Sequence, residues 1–340
     1  TISSSYQGTK QVVDLVGAGT LFQEQMDHRA GAKGVYTLKD RRWKLKPSFG
    51  YRAQLLKETA DEKWGGGLFD YRRADFGLET EYAYKDPFAV RASFHYAMTT
   101  FPNYTSLESR AAFSLQGQDL ARELVGDKVL DTHAYLFRLS AEAPYRGAVL
   151  EGSYALLSQR FPKQYVVDAA GNLTSPLRSD MTHALELGAK LPFEVAPRAR
   201  LLASFDLGYT RSASNQNSYD ALRAQFQEGY YDYSEFRVSP GARLLVGNPD
   251  RPVTMGLGMM FWIRDYAARK TQDTAGAYQS AALNSTSWLL SASVSRPIAP
   301  RVRVLFNFQY GAAYSNQRYE TFYKYGYSAA NYLFGVGYDF

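Results

Sequence analysis

The sequence predicts an all-β fold, a transmembrane antiparallel up-and-down β-barrel of about 12 strands. Three observations point there. Apolar and polar residues alternate with period two over runs of ten residues or more, repeatedly along the chain. The connections between runs alternate between tight turns and long polar loops. Composition adds a third: 27 Tyr and 20 Phe among 340 residues, with 21% charged, and a mean hydropathy of −0.37. A barrel needs aromatic side chains for its interfacial girdles and polar ones for its lumen, so these features belong together.

Residues 1–42 fall outside the pattern. Val12, Val13, Leu15, Val16, Leu21 and Phe22 form a modest apolar cluster, and a polar stretch runs from Gln23 to Lys33. The expectation is an N-terminal periplasmic segment, a plug in the lumen, or the tail of an upstream domain. Gly17 and Gly19 argue against a continuous helix. The start at Thr1, without a charged-then-apolar leader, suits either a removed signal peptide or a longer protein trimmed to this region.

The barrel is expected over 43–340, with strands near 43–57, 69–85, 88–101, 130–143, 147–161, 180–193, 198–212, 231–246, 251–266, 285–297, 301–315 and 327–340. In the first, Trp43, Leu45, Phe49, Tyr51 and Leu55 oppose Lys44, Lys46, Ser48, Arg52 and Gln54. In the third, Phe88, Val90, Ala92, Phe94, Tyr96 and Met98 oppose Ala89, Arg91, Ser93, His95 and Ala97. Residues 302–314 repeat the scheme, with Phe306 and Phe308 on one face and Asn307 and Gln309 on the other. A soluble sandwich also alternates, but its strands run about 5–6 residues, whereas crossing a membrane takes about 9–11.

Turns carrying Pro, Gly, Asn or Asp are expected at 85–87, 144–146, 195–197, 247–250 and 298–300, and long loops at 102–129, 162–179, 213–230 and 267–284. Outer-membrane barrels put short turns in the periplasm, so both termini come out periplasmic. Thr105 and Glu108 match a capping box, predicting a short helix in the first long loop. No window approaches 18 uninterrupted apolar residues, which leaves a closed barrel as the way to span a bilayer. The absence of Cys excludes disulfides and thiolate chemistry.

The segment Asn331 to Phe340 resembles the C-terminal assembly signal of Gram-negative outer-membrane β-barrel proteins. Tyr332, Phe334, Val336, Tyr338 and Phe340 alternate up to a terminal aromatic, and Gly335 supplies the upstream glycine; Leu333 departs from the polar residue often found there. The resemblance implies outer-membrane localisation and recognition by the barrel assembly machinery. Outer-membrane lipid, lipopolysaccharide and other envelope proteins are the further partners expected, with no nucleic acid, since no basic cluster sits on one exposed element.

The water-facing parity gives the lumen-lining candidates. Lys44, Lys46, Arg52, Arg73, Glu79, Glu81, Arg91 and His95 come from the first three strands, with Glu79 and Glu81 expected across from Arg91. Arg138, Glu142, Glu151, Glu186, Lys190 and Arg200 follow, then Glu235, Arg237, Arg243, Arg264 and Arg303. Such a lining suits a selective path for polar solutes or a wall of mutually neutralised charges. His28, His95, His133 and His183 show no metal-ligand spacing, and the nucleophile segment of outer-membrane phospholipase A has no match here. No catalytic residue, metal or cofactor is assigned, and the chain is expected not to be an enzyme. The functional expectation is a channel or export conduit for polar substrate, including anionic solutes or polysaccharide. The alternative is a closed barrel that anchors an envelope complex.

Overall fold

The computed structural model describes residues 2–15, 19–57, 59–85, 88–105, 114–115, 118–119, 121–221, 223–248, 251–320 and 325–338. The long alternating runs form strands β1 (Ile2–Leu15), β2 (Gly19–Lys33), β3 (Trp43–Lys57), β4 (Tyr71–Lys85), β5 (Phe88–Thr100), β6 (Thr132–Tyr145) and β7 (Ala148–Val167). They continue as β8 (Leu173–Ala196), β9 (Ala199–Ser214), β10 (Tyr233–Val246), β11 (Val253–Gln272), β12 (Tyr278–Ala299), β13 (Val302–Ser315) and β14 (Tyr327–Tyr338). All pair in chain order, each antiparallel to the next, within a 15-stranded sheet whose remaining member is the short strand Tyr36–Thr37 against β3. The sheet is not closed: among the described residues no ladder joins β14 to β1.

The expected count of about 12 strands is thereby corrected. Each expected strand is present, and β1 and β2 are additional, drawn from the segment expected to stand apart. They pair from Ile2↔Ala32 to Leu15↔Gly19, and β2 continues the sheet along β3 from Glu24↔Lys57 to Lys33↔Ser48. Their alternation is faint because Ser3-Ser4-Ser5 and Ala30-Gly31-Ala32 place small side chains on both faces.

Between β6 and β7 the turn is Arg146-Gly147, one residue later than expected. Both residues have positive φ, 48° and 82°, the type I′ geometry whose twist matches the flanking strands. The other end of the sheet carries the long connections. Residues 101–131 include a 3₁₀ turn at Arg122–Leu124, and 215–232 fold into a small hairpin of Ser218–Asp220 against Gln225–Gln227. The helix expected after Thr105 lies outside the described residues. β7 and β8 extend to 20 and 24 residues, well beyond the about 9–11 that cross a bilayer. Register shifts at Arg160/Tyr165 mark where the regular ladder ends.

The register sorts side chains onto two faces. Leu78, Phe94 and Phe137 sit side by side on β4, β5 and β6, and each is exposed, Phe94 at 49%. Leu150 and Tyr154 on β7, Leu185 and Leu187 on β8, Phe205 on β9, Leu257 on β11 and Phe306 on β13 share that parity and that exposure. An apolar face this extensive is unlike a soluble monomer's surface. Among the described residues no helix is long and apolar enough to cross a membrane.

Candidate functional site

The opposite face of the sheet gathers the charges. One unbroken row of paired residues crosses from β3 to β10 and beyond: Lys44, Glu81, Arg91, Ser140, Ser153, Glu186, Gly208, Arg237, then Trp262 on β11. Because adjacent strands put same-face side chains about 5 Å apart, long side chains on this row reach their neighbours. Glu81 is the hub. It takes Lys44 Nζ at 2.9 Å, Lys46 Nζ at 2.6 Å and Arg91 Nε at 2.8 Å. Lys46 also meets Glu79 at 2.7 Å, and Arg91 reaches on to Glu142 at 2.8 Å. The expected meeting of the Glu79/Glu81 strand with Arg91 is thus made through Glu81.

Further along, Glu186 accepts from Arg237 at 2.6 Å and from Arg138 at 3.4 Å, while Lys190 pairs with Glu151 at 2.5 Å. Arg264 meets Glu235 at 2.7 Å and lies over the Tyr233 ring. Arg73 pairs with its own-strand neighbour Asp75 at 2.7 Å. Arg200 is mostly solvated, 3.6 Å from Glu194. Arg243 stands opposite Gly256, and Arg303 lies along Gly337. His95 lies across Gly77 beside Ser48, in space that any Cβ at 77 would fill. Two contributors escape the sequence reading: Asp27, which takes Arg52 at 2.5 Å and Arg29 at 2.7 Å, and Arg29 itself. Both lie on β2, where the faint alternation gave no cue.

Cations outnumber anions at Asp27 and at Glu186, each of which serves two, while around Glu81 three cations meet the three carboxylates of Glu79, Glu81 and Glu142. Asp27 and Glu81 are buried while several of their cationic partners stay partly solvated, and a shared carboxylate fixes several long side chains against the wall at once. Two recesses open between them. One, of 210 Å³, is bordered by Arg91, Glu142, Glu151, Glu186 and Asp206. The other, of 380 Å³, is bordered by Arg73, Asp75, His95, Thr99, Thr132 and Gln159.

At the long-loop end the connections interlock. Glu123, only 1% exposed, accepts from Tyr231 Oη at 2.8 Å and from the Tyr219 amide at 3.2 Å, and its own carbonyl accepts from Gln164 at 2.8 Å. Burial raises the Glu123 carboxyl above its usual range, since desolvation disfavours the anion. Burial likewise raises the Tyr231 hydroxyl, with the nearby Glu123 adding to the shift. The Arg178 guanidinium stacks on Tyr231 at 4.1 Å and on Phe161 at 4.3 Å. Tyr278 donates to Asp220 at 2.9 Å, and Asp220 also takes Arg223 at 3.1 Å. Two loops and the outer ends of β7, β8 and β12 are tied together by these contacts. A lone acid in a loop and a Tyr-Tyr pair some hundred residues later give no sequence sign of meeting. Among the described residues no group of three acidic or histidine side chains has the make-up of a metal site.

No protein-family description matches the chain, and no curated protein does either. Solved structures do. OmpT of Vibrio cholerae, described as an outer membrane protein in trimer form, is similar at 12% identity and a TM-score of 0.42, over 99% of this chain and 98% of that one. The ferric citrate transporter FecA in its unliganded form is similar at 11% identity and 0.49, over 99% of this chain and 49% of that one. The copper transporter OprC is similar at 12% identity and 0.48, over 100% and 54%. The expectation that the chain is not an enzyme is dropped: likenesses at 10–12% identity, OmpT among them, show the fold and say nothing of activity in either direction. At such identity no active site is carried across either. The similar structures are outer-membrane β-barrel proteins, and this chain shares with them an all-β, antiparallel, up-and-down sheet.

Proposed function

We propose that the chain is an outer-membrane barrel whose charged inner face lines a conduit for polar solutes, small or extended. The supporting observation is the division of the sheet into an exposed apolar face and a continuous charged one. A bilayer tolerates no open sheet edge, so β1 and β14 pair in the membrane. An even number of strands makes those edges antiparallel, as the other ladders are, and puts both termini on the short-turn side, in the periplasm. The excess of cations over the carboxylates they share favours anionic solutes, including acidic polysaccharide. Steady conductance of the purified protein in a planar bilayer, with reversal potentials showing anion preference, is the expected result; a silent bilayer with fully inserted protein sinks the conduit.

The second reading, a closed barrel that anchors envelope machinery, is favoured by the interlocked loops around Glu123. It predicts no conductance before or after the loop contacts are removed. In either case Gly335, Tyr338 and Phe340 serve as the assembly signal read by the barrel assembly machinery; Phe340 itself lies outside the described residues. Phe340→Ala is expected to lower the yield of heat-modifiable barrel in the membrane, and a normal yield counts against that role.

A further inference from the structure

The apolar face carries a small set of charges with no carboxylate to meet. On β7, Arg160 shares the parity of the exposed Leu150 and Tyr154; on β9, Arg211 shares that of Phe205 and Tyr209. Both arginines are exposed, and among the described residues neither has a carboxylate within ion-pair distance. Each stands 12 residues beyond the first residue of its strand, 160 − 148 and 211 − 199. A tilted strand needs about 9–11 residues to cross the hydrocarbon, so both reach the headgroup level on the long-loop side. A cation at that depth costs little, whereas at midplane it costs about 2–4 kcal/mol.

Each arginine has a histidine as its direct cross-strand partner: Arg160↔His133 and Arg211↔His183. Each histidine is held by a tyrosine hydroxyl at Nδ1, Tyr96 at 2.6 Å and Tyr154 at 2.7 Å, which leaves Nε2 for another partner. A recess of 590 Å³ opens beside His133 and Arg160. Its other guanidinium, Arg178, is already committed to Asp180 at 2.7 Å. The two Arg-His pairs lie on register rows four residues apart on β7, at Leu156 and Arg160, so they are about 14 Å apart along the strand.

We propose that the Arg160-His133 and Arg211-His183 pairs form a docking site for a phosphorylated lipid of the outward leaflet, its phosphates on the arginines and its acyl chains along the exposed apolar face. Fork-shaped guanidinium donors match phosphate oxygens, the apolar side chains below supply the acyl-chain surface, and the spacing calls for more than one phosphate per headgroup. The site rests on the outer-membrane reading above.

The test folds the full chain into phosphatidylcholine vesicles containing a minor fraction of a bis-phosphorylated glucosamine-disaccharide lipid, then counts lipid retained per barrel by native mass spectrometry after detergent exchange. Parallel samples use the same lipid with its phosphates removed, and excess inorganic phosphate as competitor. Wild type should retain the phosphorylated lipid, R160Q/R211Q should retain it roughly thirtyfold more weakly, and R160K/R211K should recover only part of the loss, because an ammonium keeps the charge without the forked donor pair. The dephosphorylated lipid should not be retained, and inorganic phosphate should not displace the lipid. Equal retention by wild type and R160Q/R211Q, or equal retention of the dephosphorylated lipid, overturns the site. Full displacement by inorganic phosphate makes it an anion site without lipid specificity, which overturns it too. Heat-modifiability read on the same samples separates the failures: a chain that does not insert overturns the outer-membrane reading, while an inserted barrel without lipid overturns this site alone.

Discussion

The charged wall differs between its two ends. From β3 to β8 every strand carries a charge on the main row or at the next same-face position, among them Lys44, Glu81, Arg91, Glu142, Glu151 and Glu186, and several are tied across strands by shared carboxylates. On β12 and β13 the same parity carries Ser291, Ser293, Asn307 and Gln309, with Gly335 facing Leu305 on β14. One arc is therefore charged across several adjoining strands, and the other presents neutral hydrogen-bonding groups apart from Arg303 near the start of β13. For the proposed conduit, this contrast places the control of selectivity in the charge of the early strands and the control of width in the side-chain bulk of the late ones.

The comparison presupposes that both arcs present the same face inward, and the largest expected effect tests that. Phe94→Arg on the charged arc and Phe306→Arg on the neutral arc should each cost about 2–4 kcal/mol in a lipid folding titration, with Ser93→Arg and Asn307→Arg far milder. Equal costs at both parities on either arc would mean that its strands are out of register.

Next comes the hub. Glu81→Gln leaves Lys44, Lys46 and Arg91 sharing no anion, and should cost about 1–3 kcal/mol. Ser291→Ala on the neutral arc should stay within about 0.5 kcal/mol. If urea titrations in vesicles give the two the same small value, the ion pairs are surface contacts without consequence.

A smaller, steric effect is expected at Gly77, where a methyl group would meet the His95 ring and the Ser48 hydroxyl. Gly77→Ala should cost about 1 kcal/mol and narrow the charged arc, reducing conductance. Unchanged conductance and stability would mean that His95 moves aside freely. Joint neutralisation of Arg91, Arg138 and Arg237 should shift reversal potentials toward cations, while changes at Ser291 and Asn307 leave them alone; the opposite pattern would invert the roles given to the two arcs.

The least effect should come from pH at the loop cluster. The buried Glu123 carboxyl is raised, so its neutral form is the one the folded loops favour. That contribution is fully present below the ordinary carboxylate range and is lost as pH rises through the raised value. Hydrogen exchange of residues 121–129 and 216–231 should therefore speed up with pH beyond the intrinsic base dependence, and Glu123→Gln should remove the excess. Exchange that follows the intrinsic dependence alone in both proteins would mean that the cluster holds without Glu123's proton.

The period-two pattern by itself determined the antiparallel meander from Trp43 onward, because on a strand with distinct surroundings on its two sides each residue's environment is written into its polarity. It also determined which charges share a face, and the hairpin at residues 85–88 was enough to bring Glu81 to Arg91. Tertiary structure alone decided the rest. β1 and β2 join the sheet through backbone ladders that small side chains of either parity permit, so composition there is silent about pairing. The gathering of Glu123, Tyr219 and Tyr231 depends on two loops meeting, and the alignment of Arg160 with Arg211 depends on how far each strand rises from its turn. Local alternation encodes which way a side chain faces; only the assembled sheet fixes at what height it stands and what stands beside it.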